Sequence, residues 1–238
     1  IVTRSGSVYA GTFQLRNASI HVNGEYNNTK RAYSEMEVLL DEVVRTKEDV
    51  LALGILPGDI VCFEPRTVVT PSGFIKSRFL DDKLSTGVLL GYAKYVKDEN
   101  ITPARRIYHH ITVFEEVGHG GCASIPQDVM EVLSVDMGCV GEGLGCDEYQ
   151  VSICASDSRG PYHYDVVSAL IEAAKKAGAD FAVDVYPFYG SDADAALTAG
   201  YDVRHGLIGP GVYASHGYER SHKKGVENTF RLLKAYLG

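Results

Sequence analysis

The sequence has 238 residues, of which 45% are hydrophobic and 23% charged, and its formal net charge is −8. This length predicts one large domain or a domain with a smaller insertion, and this composition excludes a wholly disordered chain. No stretch approaches the roughly 20 apolar residues of a membrane span, and no cluster of lysines and arginines suits a nucleic-acid backbone. The 5 cysteines form no Cys-x-x-Cys pair, which argues against a disulfide framework and favours the reducing cytoplasm.

Short, mostly β elements are predicted for residues 1–72. Alternating apolar residues favour a strand over residues 36–44. Thr46 and Asp49 then have the spacing of a capping box, which predicts a short helix that ends at Gly54. We interpret this part of the chain as a small β-domain.

Residues 73–238 alternate between strand and helix patterns. The predicted helices cover residues 84–97, 162–177, 192–199 and 224–237, and the predicted strands cover residues 106–114, 132–137, 149–154, 181–187 and 203–209. Such alternation is typical of an α/β fold, a mostly parallel sheet flanked by helices. Ligands of these sheets bind beyond the carboxyl ends of the strands.

Acidic and histidine side chains follow several of these strands directly. They are Asp81 and Asp82, Glu115 and Glu116, Asp136, and the histidines within residues 215–222. Because strand ends converge on one edge of a parallel sheet, these carboxylates and imidazoles could together hold zinc, cobalt or manganese. Each also has an ordinary structural interpretation, since a Glu-Glu pair can lie on the surface, an Asp-Asp pair can cap a helix, and an aspartate can form a turn.

At these residues the sequence resembles the M42 family of dinuclear metallo-aminopeptidases, which includes the glutamyl and the tetrahedral aminopeptidases. The similarity is carried by FLDDK (79–83), FEEVG (114–118), VDMG (135–138), GSDA (190–193), LGILPGD (53–59) and His222. It spans nearly the whole chain. It implies the phosphorylase/hydrolase-like aminopeptidase fold, with a catalytic domain over residues 73–238 and an inserted, β-barrel-like dimerisation domain over residues 1–72.

The resemblance also implies a ligand set for two divalent metal ions, zinc or cobalt. Asp81 bridges both ions in this assignment. Glu116 and His222 complete one metal site, and Asp136 ligates the other ion.

Three further residues receive roles from the resemblance. Glu115 acts as the general base, which takes a proton from the nucleophilic water and returns it to the leaving amine. Asp82 and Asp192 shape the site from around the ligands or contact the substrate.

The activity implied by the family is the removal of N-terminal residues from peptides (EC 3.4.11 type) by a hydroxide that bridges the metal ions. The family also implies a homo-oligomer, in which dimers assemble into a dodecamer partly through the β-domain. Two alternatives stay open, a dinuclear deacylase or amidase that acts on a small acylated metabolite, and a non-catalytic paralogue.

Two departures from the family pattern are visible in the sequence. Lys83 stands where the family usually has arginine, so a contact made there loses the bidentate guanidinium. No His-x-Asp motif occurs, although the family places one before the β insertion and uses its histidine as a metal ligand. We therefore expect this sequence to begin at the insertion, without the first segment of the catalytic domain.

Overall fold

The computed structural model describes residues 1–238 and divides them into two compact units, Ile1–Glu64 and Pro65–Gly238. In the first unit, β1 (Gly11–Leu15) pairs antiparallel with β2 (Met36–Leu40), and α1 (Lys47–Ala52) follows. This two-stranded sheet confirms the strand predicted near residue 36, and isolated bridges join Val2 to Val8 and to Ile60.

The capping box at the start of α1 is confirmed. The Thr46 side chain accepts the Asp49 backbone N–H, at 3.1 Å, and the Asp49 carboxylate accepts the Thr46 backbone N–H, at 2.9 Å. Both bonds satisfy N–H groups that the first turn of a helix leaves without a partner. Hydrogen bonds from the backbone N–H groups of Arg45 and Thr46 lower the pKa of the Asp49 carboxyl.

The boundary between the units lies before residue 65, earlier than the predicted boundary at residue 72. The reason is β3 (Val68–Val69), which pairs antiparallel with β4 (Phe74–Ser77) and so belongs to the sheet of the second unit. A turn at Pro71-Ser72-Gly73 joins these two strands, and Gly73 has the positive φ of +95° that such a turn favours.

The second unit contains a nine-stranded sheet with the order β3-β4-β11-β10-β7-β8, in which β5 and β6 also pair with β10, and β9 pairs with β7. Its remaining strands are β5 (Glu131–Val135), β6 (Gly138–Val140), β7 (Val151–Asp157), β8 (Gly160–Pro161), β9 (Phe181–Val185), β10 (Arg204–Tyr213) and β11 (Glu219–His222).

The sheet is mixed, which corrects the mostly parallel sheet of the prediction. Only β5 and β6 with β10, and β9 with β7, are parallel, whereas the other pairs are antiparallel. Hairpins produce part of this difference, because a short connection reverses the chain and makes neighbouring strands antiparallel. The β10–β11 hairpin is the example that matters for the site.

Four helices cover the sheet, namely α2 (Leu80–Asp98), α3 (Tyr164–Ala177), α4 (Asp192–Thr198) and α5 (Lys223–Leu237). Apolar residues at helical spacing explain α3, which buries Val166, Leu170 and Ala174 and ends where Gly178 adopts the left-handed conformation. These side chains join Ile153 and other residues of the central strands in one core. Burying each large aliphatic side chain stabilises the fold by about 1.5–3 kcal/mol. None of the helices combines the length and the apolar composition that a membrane span needs.

The prediction of a strand over residues 106–114 is wrong. This segment pairs with no strand of the sheet. β5, the strand that follows it in the sequence, pairs only with β10. The apolar side chains that suggested a strand are not covered by a neighbour, since Val113 is 85% exposed and Phe114 63%. A segment with strand-like alternation forms a strand only where a partner pairs with it. Residues 105–113 instead line a cavity of about 620 Å³, together with β5 and parts of α2 and α5.

Candidate metal centre

The side chains of Asp81, Glu116 and His216 form the first of two groups that could hold a metal ion. Nε2 of His216 lies 3.3 Å from Oδ2 of Asp81 and 3.6 Å from Oε2 of Glu116. All three ligand atoms lie within 4.8 Å of one another. The three residues come from the start of α2, from a 3₁₀ turn over Glu115–Val117, and from the loop between β10 and β11.

Asp81, Asp82 and Asp136 form a second such group, again with ligand atoms within 4.8 Å of one another. Asp136 directly follows β5, as the sequence predicts. Oδ1 of Asp82 is buried and has no hydrogen-bond partner. A buried carboxylate oxygen without a donor is costly, and a bound cation would satisfy it.

The turn at the start of α2 directs its two aspartates into these groups. Phe79 has a left-handed backbone conformation with a φ of 65°, and Asp81 and Asp82 have non-helical dihedral angles although the helix begins at Leu80. The peptide bond between the aspartates is cis. Regular helix follows from Lys83, close to the predicted start at Leu84.

Burial and mutual repulsion raise the pKa values of these carboxyls. Burial, followed by repulsion from Asp136, raises the pKa of Asp81 to about 7 and that of Asp82 to about 10. Burial also raises the pKa values of Asp136 and Glu115 to about 7, and nearby carboxylates add to both shifts. So many acidic groups in one poorly solvated place are expected where a divalent cation compensates their charge. The hard oxygen donors and one imidazole therefore fit such an ion.

Asp192 contacts the loop that carries Glu115 and Glu116 at two points. Its Oδ2 accepts a hydrogen bond from the Thr112 hydroxyl at 2.7 Å. The backbone of Gly121 packs so closely that a Cβ there would lie 2.0 Å from the carbonyl oxygen of Asp192. Asp192 thus supports the glutamate loop and is not among the grouped ligand atoms.

His222, which the resemblance places among the metal ligands, lies outside both groups of ligand atoms. Its Nε2 lies 2.9 Å from the carbonyl oxygen of Ser72, and its Nδ1 accepts the Lys224 backbone N–H at 3.0 Å. The ring also packs against Phe74 and Tyr149. One ring nitrogen therefore links β11 to the turn between β3 and β4, and the other caps the start of α5.

His216 occupies the place that the sequence analysis gave to His222. Both histidines lie in the same polar run, and the run continues through the loop and into β11. The two histidines differ in their position, because His216 lies in the loop before β11 whereas His222 is the last residue of β11. Glu219, a fully buried carboxylate, lies between the two histidines, and no sequence pattern marks it as part of the site.

Residues 1–232 match the family described as M42 glutamyl aminopeptidase. A Bacillus subtilis (strain 168) protein named "Putative aminopeptidase YhfE" is 45% identical over 237 residues, which cover 100% of this chain and 68% of that protein.

Solved structures show a similar fold. The TET aminopeptidase from the marine sediment archaeon Thaumarchaeota archaeon SCGC AB-539-E09 superposes with a TM-score of 0.80 at 21% identity, over 99% of this chain and 68% of that one. PhTET1-12s, described as a dodecamer in the asymmetric unit, superposes with a TM-score of 0.76 at 21% identity, over 99% of this chain and 69% of that one. These likenesses confirm the predicted α/β architecture.

Proposed function

This chain belongs to the M42 family of peptidases, and from that premise we propose that it is a metal-dependent aminopeptidase that releases N-terminal residues from peptides. The observation that carries the proposal is the position of Asp81. It belongs to both groups of ligand atoms, as expected of a carboxylate that bridges two ions. We assign Glu116 and His216 to one ion, and Asp136 to the other, with Asp82 beside them.

Two divalent ions held there, zinc or cobalt, would supply the Lewis acidity that makes a water molecule nucleophilic near neutral pH. Glu115 lies next to the ligand Glu116 and lines the same cavity as Asp136. It is the residue we assign as general base, which takes the proton of the attacking water and passes it to the leaving amine. A free α-amine on the substrate would bind among the acidic residues, which restricts cleavage to the first peptide bond.

The proposal is tested with one amino-acid chromogenic anilide in two forms, with a free α-amine and with an acetylated one. We expect the purified protein, supplied with Co²⁺ or Zn²⁺, to hydrolyse the free form and to lose this activity after chelation. Release of acetate from the acetylated form, which leaves the anilide bond intact, without hydrolysis of the free-amine anilide would replace the aminopeptidase assignment with the deacylase alternative. No hydrolysis of either form by the metal-loaded protein would contradict the enzymatic proposal.

Two variants separate the assigned roles. Glu115→Gln should keep the metal content of the wild type and lose turnover by about 10²–10⁴-fold, because a general base is missing. His216→Ala should lower the metal content itself, whereas the matched His222→Gln should keep it. Unchanged metal content in His216→Ala would remove this histidine from the ligand set.

We also propose that the protein forms a homo-oligomer in which the first unit, Ile1–Glu64, contributes contacts between subunits. The support is the assembly stated for PhTET1-12s, which is a dodecamer. Light scattering of the purified protein measures this directly. A monomeric mass at micromolar concentration would count against the assembly.

A further inference from the structure

Glu219 is a fully buried carboxylate, only 1% exposed, at the start of β11. Its Oε2 accepts the backbone N–H groups of Leu80 and Asp81, at 2.5 and 3.1 Å. Its Oε1 accepts the backbone N–H of His216, at 2.9 Å. Burying an ionised carboxylate is costly unless hydrogen bonds replace its water, and three N–H groups provide that replacement.

The three donors belong to the two segments that meet in the metal centre. Leu80 and Asp81 form the turn at the start of α2, and His216 lies in the β10–β11 loop. Asp81 and Glu219 are 138 residues apart in the sequence, so nothing local holds these segments together. The Glu219 side chain therefore binds the backbones of both Asp81 and His216. The side chains of these two residues lie close together, with 3.3 Å between Oδ2 of Asp81 and Nε2 of His216.

Both segments have backbone conformations that require such support. Phe79, Ala214 and His216 have φ angles of 65°, 60° and 63°, in the left-handed region that side chains rarely adopt. Conformations of this kind persist where surrounding contacts determine them, and they cluster at functional sites. The bonds of Glu219 to Asp81 and His216 supply contacts on both sides.

We propose that Glu219 is a positioning residue that sets the distance between Asp81 and His216 and so controls the affinity of the site for a divalent cation. This inference rests on the proposed function, because it takes both residues as metal ligands. Glu219 itself acts through their backbone, since its two carboxylate oxygens are used by the three N–H groups. The competing interpretation is that Glu219 only stabilises the fold.

Glu219→Gln is the variant that the geometry favours as a test. Glutamine has the same size but only one acceptor oxygen, so it can serve the Leu80 and Asp81 N–H groups or the His216 N–H, but not both. Its amide N–H₂ would then face a backbone donor. We expect the Co²⁺ affinity to fall by about 10–100-fold, as for other residues that orient metal ligands. The visible absorption spectrum of bound Co²⁺ should also change.

Glu148→Gln is the matched control. Glu148 is a largely buried glutamate that pairs with Arg220, the neighbour of Glu219 in β11, at 3.4 Å. Its replacement removes one acid next to the same strand and leaves both ligand segments untouched. Circular dichroism and thermal unfolding compare the folding of the two variants. If Glu219→Gln does not fold, Glu219→Asp, which keeps the charge but shortens the side chain, replaces it in each measurement.

A double-mutant cycle with His216→Ala separates positioning from general stabilisation. If Glu219 acts through His216, its replacement should cost much less Co²⁺ affinity when His216 is already absent. Equal costs in both backgrounds, or wild-type affinity and spectrum in Glu219→Gln, would overturn the positioning role while leaving the aminopeptidase proposal intact. A wild-type protein that binds no Co²⁺ would overturn both.

Discussion

Gly121→Ala should reduce turnover without unfolding the protein. The added Cβ would lie 2.0 Å from the carbonyl oxygen of Asp192, whereas ordinary contact begins at 3.4 Å, so the two segments must separate by about 1.4 Å. Asp192 begins α4, whose next residue Ala193 is fully buried, so we expect the glutamate loop to move instead. Hydrogen bonds inside that loop, such as Gly118 N–H to the Glu115 carbonyl at 2.7 Å, would carry the movement to the metal centre.

The magnitude follows from this displacement. A misplacement of about 1 Å in a catalytic group can cost about 100-fold in rate, so we expect kcat of Gly121→Ala to fall by about that factor. Overpacking should lower the free energy of unfolding by about 1–3 kcal/mol. Steady-state kinetics on the free-amine anilide and urea denaturation measure the two effects separately.

Gly87→Ala is the control for this prediction. Gly87 is an exposed residue inside α2, and a Cβ at this position would meet no atom within 4 Å beyond its chain neighbours and the backbone of its own helix. Alanine should therefore keep kcat and stabilise the helix by about 0.5–1 kcal/mol. Wild-type kcat in Gly121→Ala, at full metal content, would refute the reasoning that the Asp192 contact positions the glutamate loop.

Three further predictions concern stability, each measured by urea denaturation. Thr46→Ala removes one half of the α1 capping box and should cost about 1 kcal/mol in the first unit, where an unchanged midpoint would show that the cap contributes nothing. Leu170→Ala, at a fully buried core position, should cost about 2–5 kcal/mol, and a loss below about 1 kcal/mol would mean that the core refills the space. Burial and a hydrogen bond with Asp157 raise the pKa of Asp194 from its usual 3.8 to about 6, so its ionisation is harder in the folded state. Its contribution to stability is therefore lost as the pH rises from about 4 to about 7, and Asp194→Asn should flatten this decline, whereas parallel profiles would contradict the assignment.

The sequence predicted the helices well because their apolar spacing reports burial on one face. The predicted ranges 162–177 and 224–237 differ from α3 and α5 by at most two residues at either end. The strand over 106–114 could not be judged in this way, because alternation does not show whether a partner strand lies alongside. β11 has no apolar alternation that would predict it, because its buried residues Glu219 and His222 are polar.

The same distinction holds for the candidate site. Asp81, Glu116 and Asp136 come together as the motifs indicate. Asp81 and Asp136 lie at the start of α2 and directly after β5, two elements that the pattern reveals, whereas Glu116 follows a segment that forms no strand and is indicated by its FEEVG motif alone. The choice between His216 and His222 depends on where the β10–β11 hairpin turns. That register is set by pairing with β4 and β10, which a single sequence does not display.

The long separation between the parts of the metal centre also has a consequence during protein synthesis. Asp136 is made about 80 residues before His216, which takes about 4–16 s at a translation rate of about 5–20 residues per second. During that interval the nascent chain carries the aspartates and glutamates of the site but neither His216 nor Glu219. A growing chain would therefore gain peptidase activity only after the β10–β11 hairpin leaves the ribosome and pairs, so that activity is delayed until most of the fold has formed.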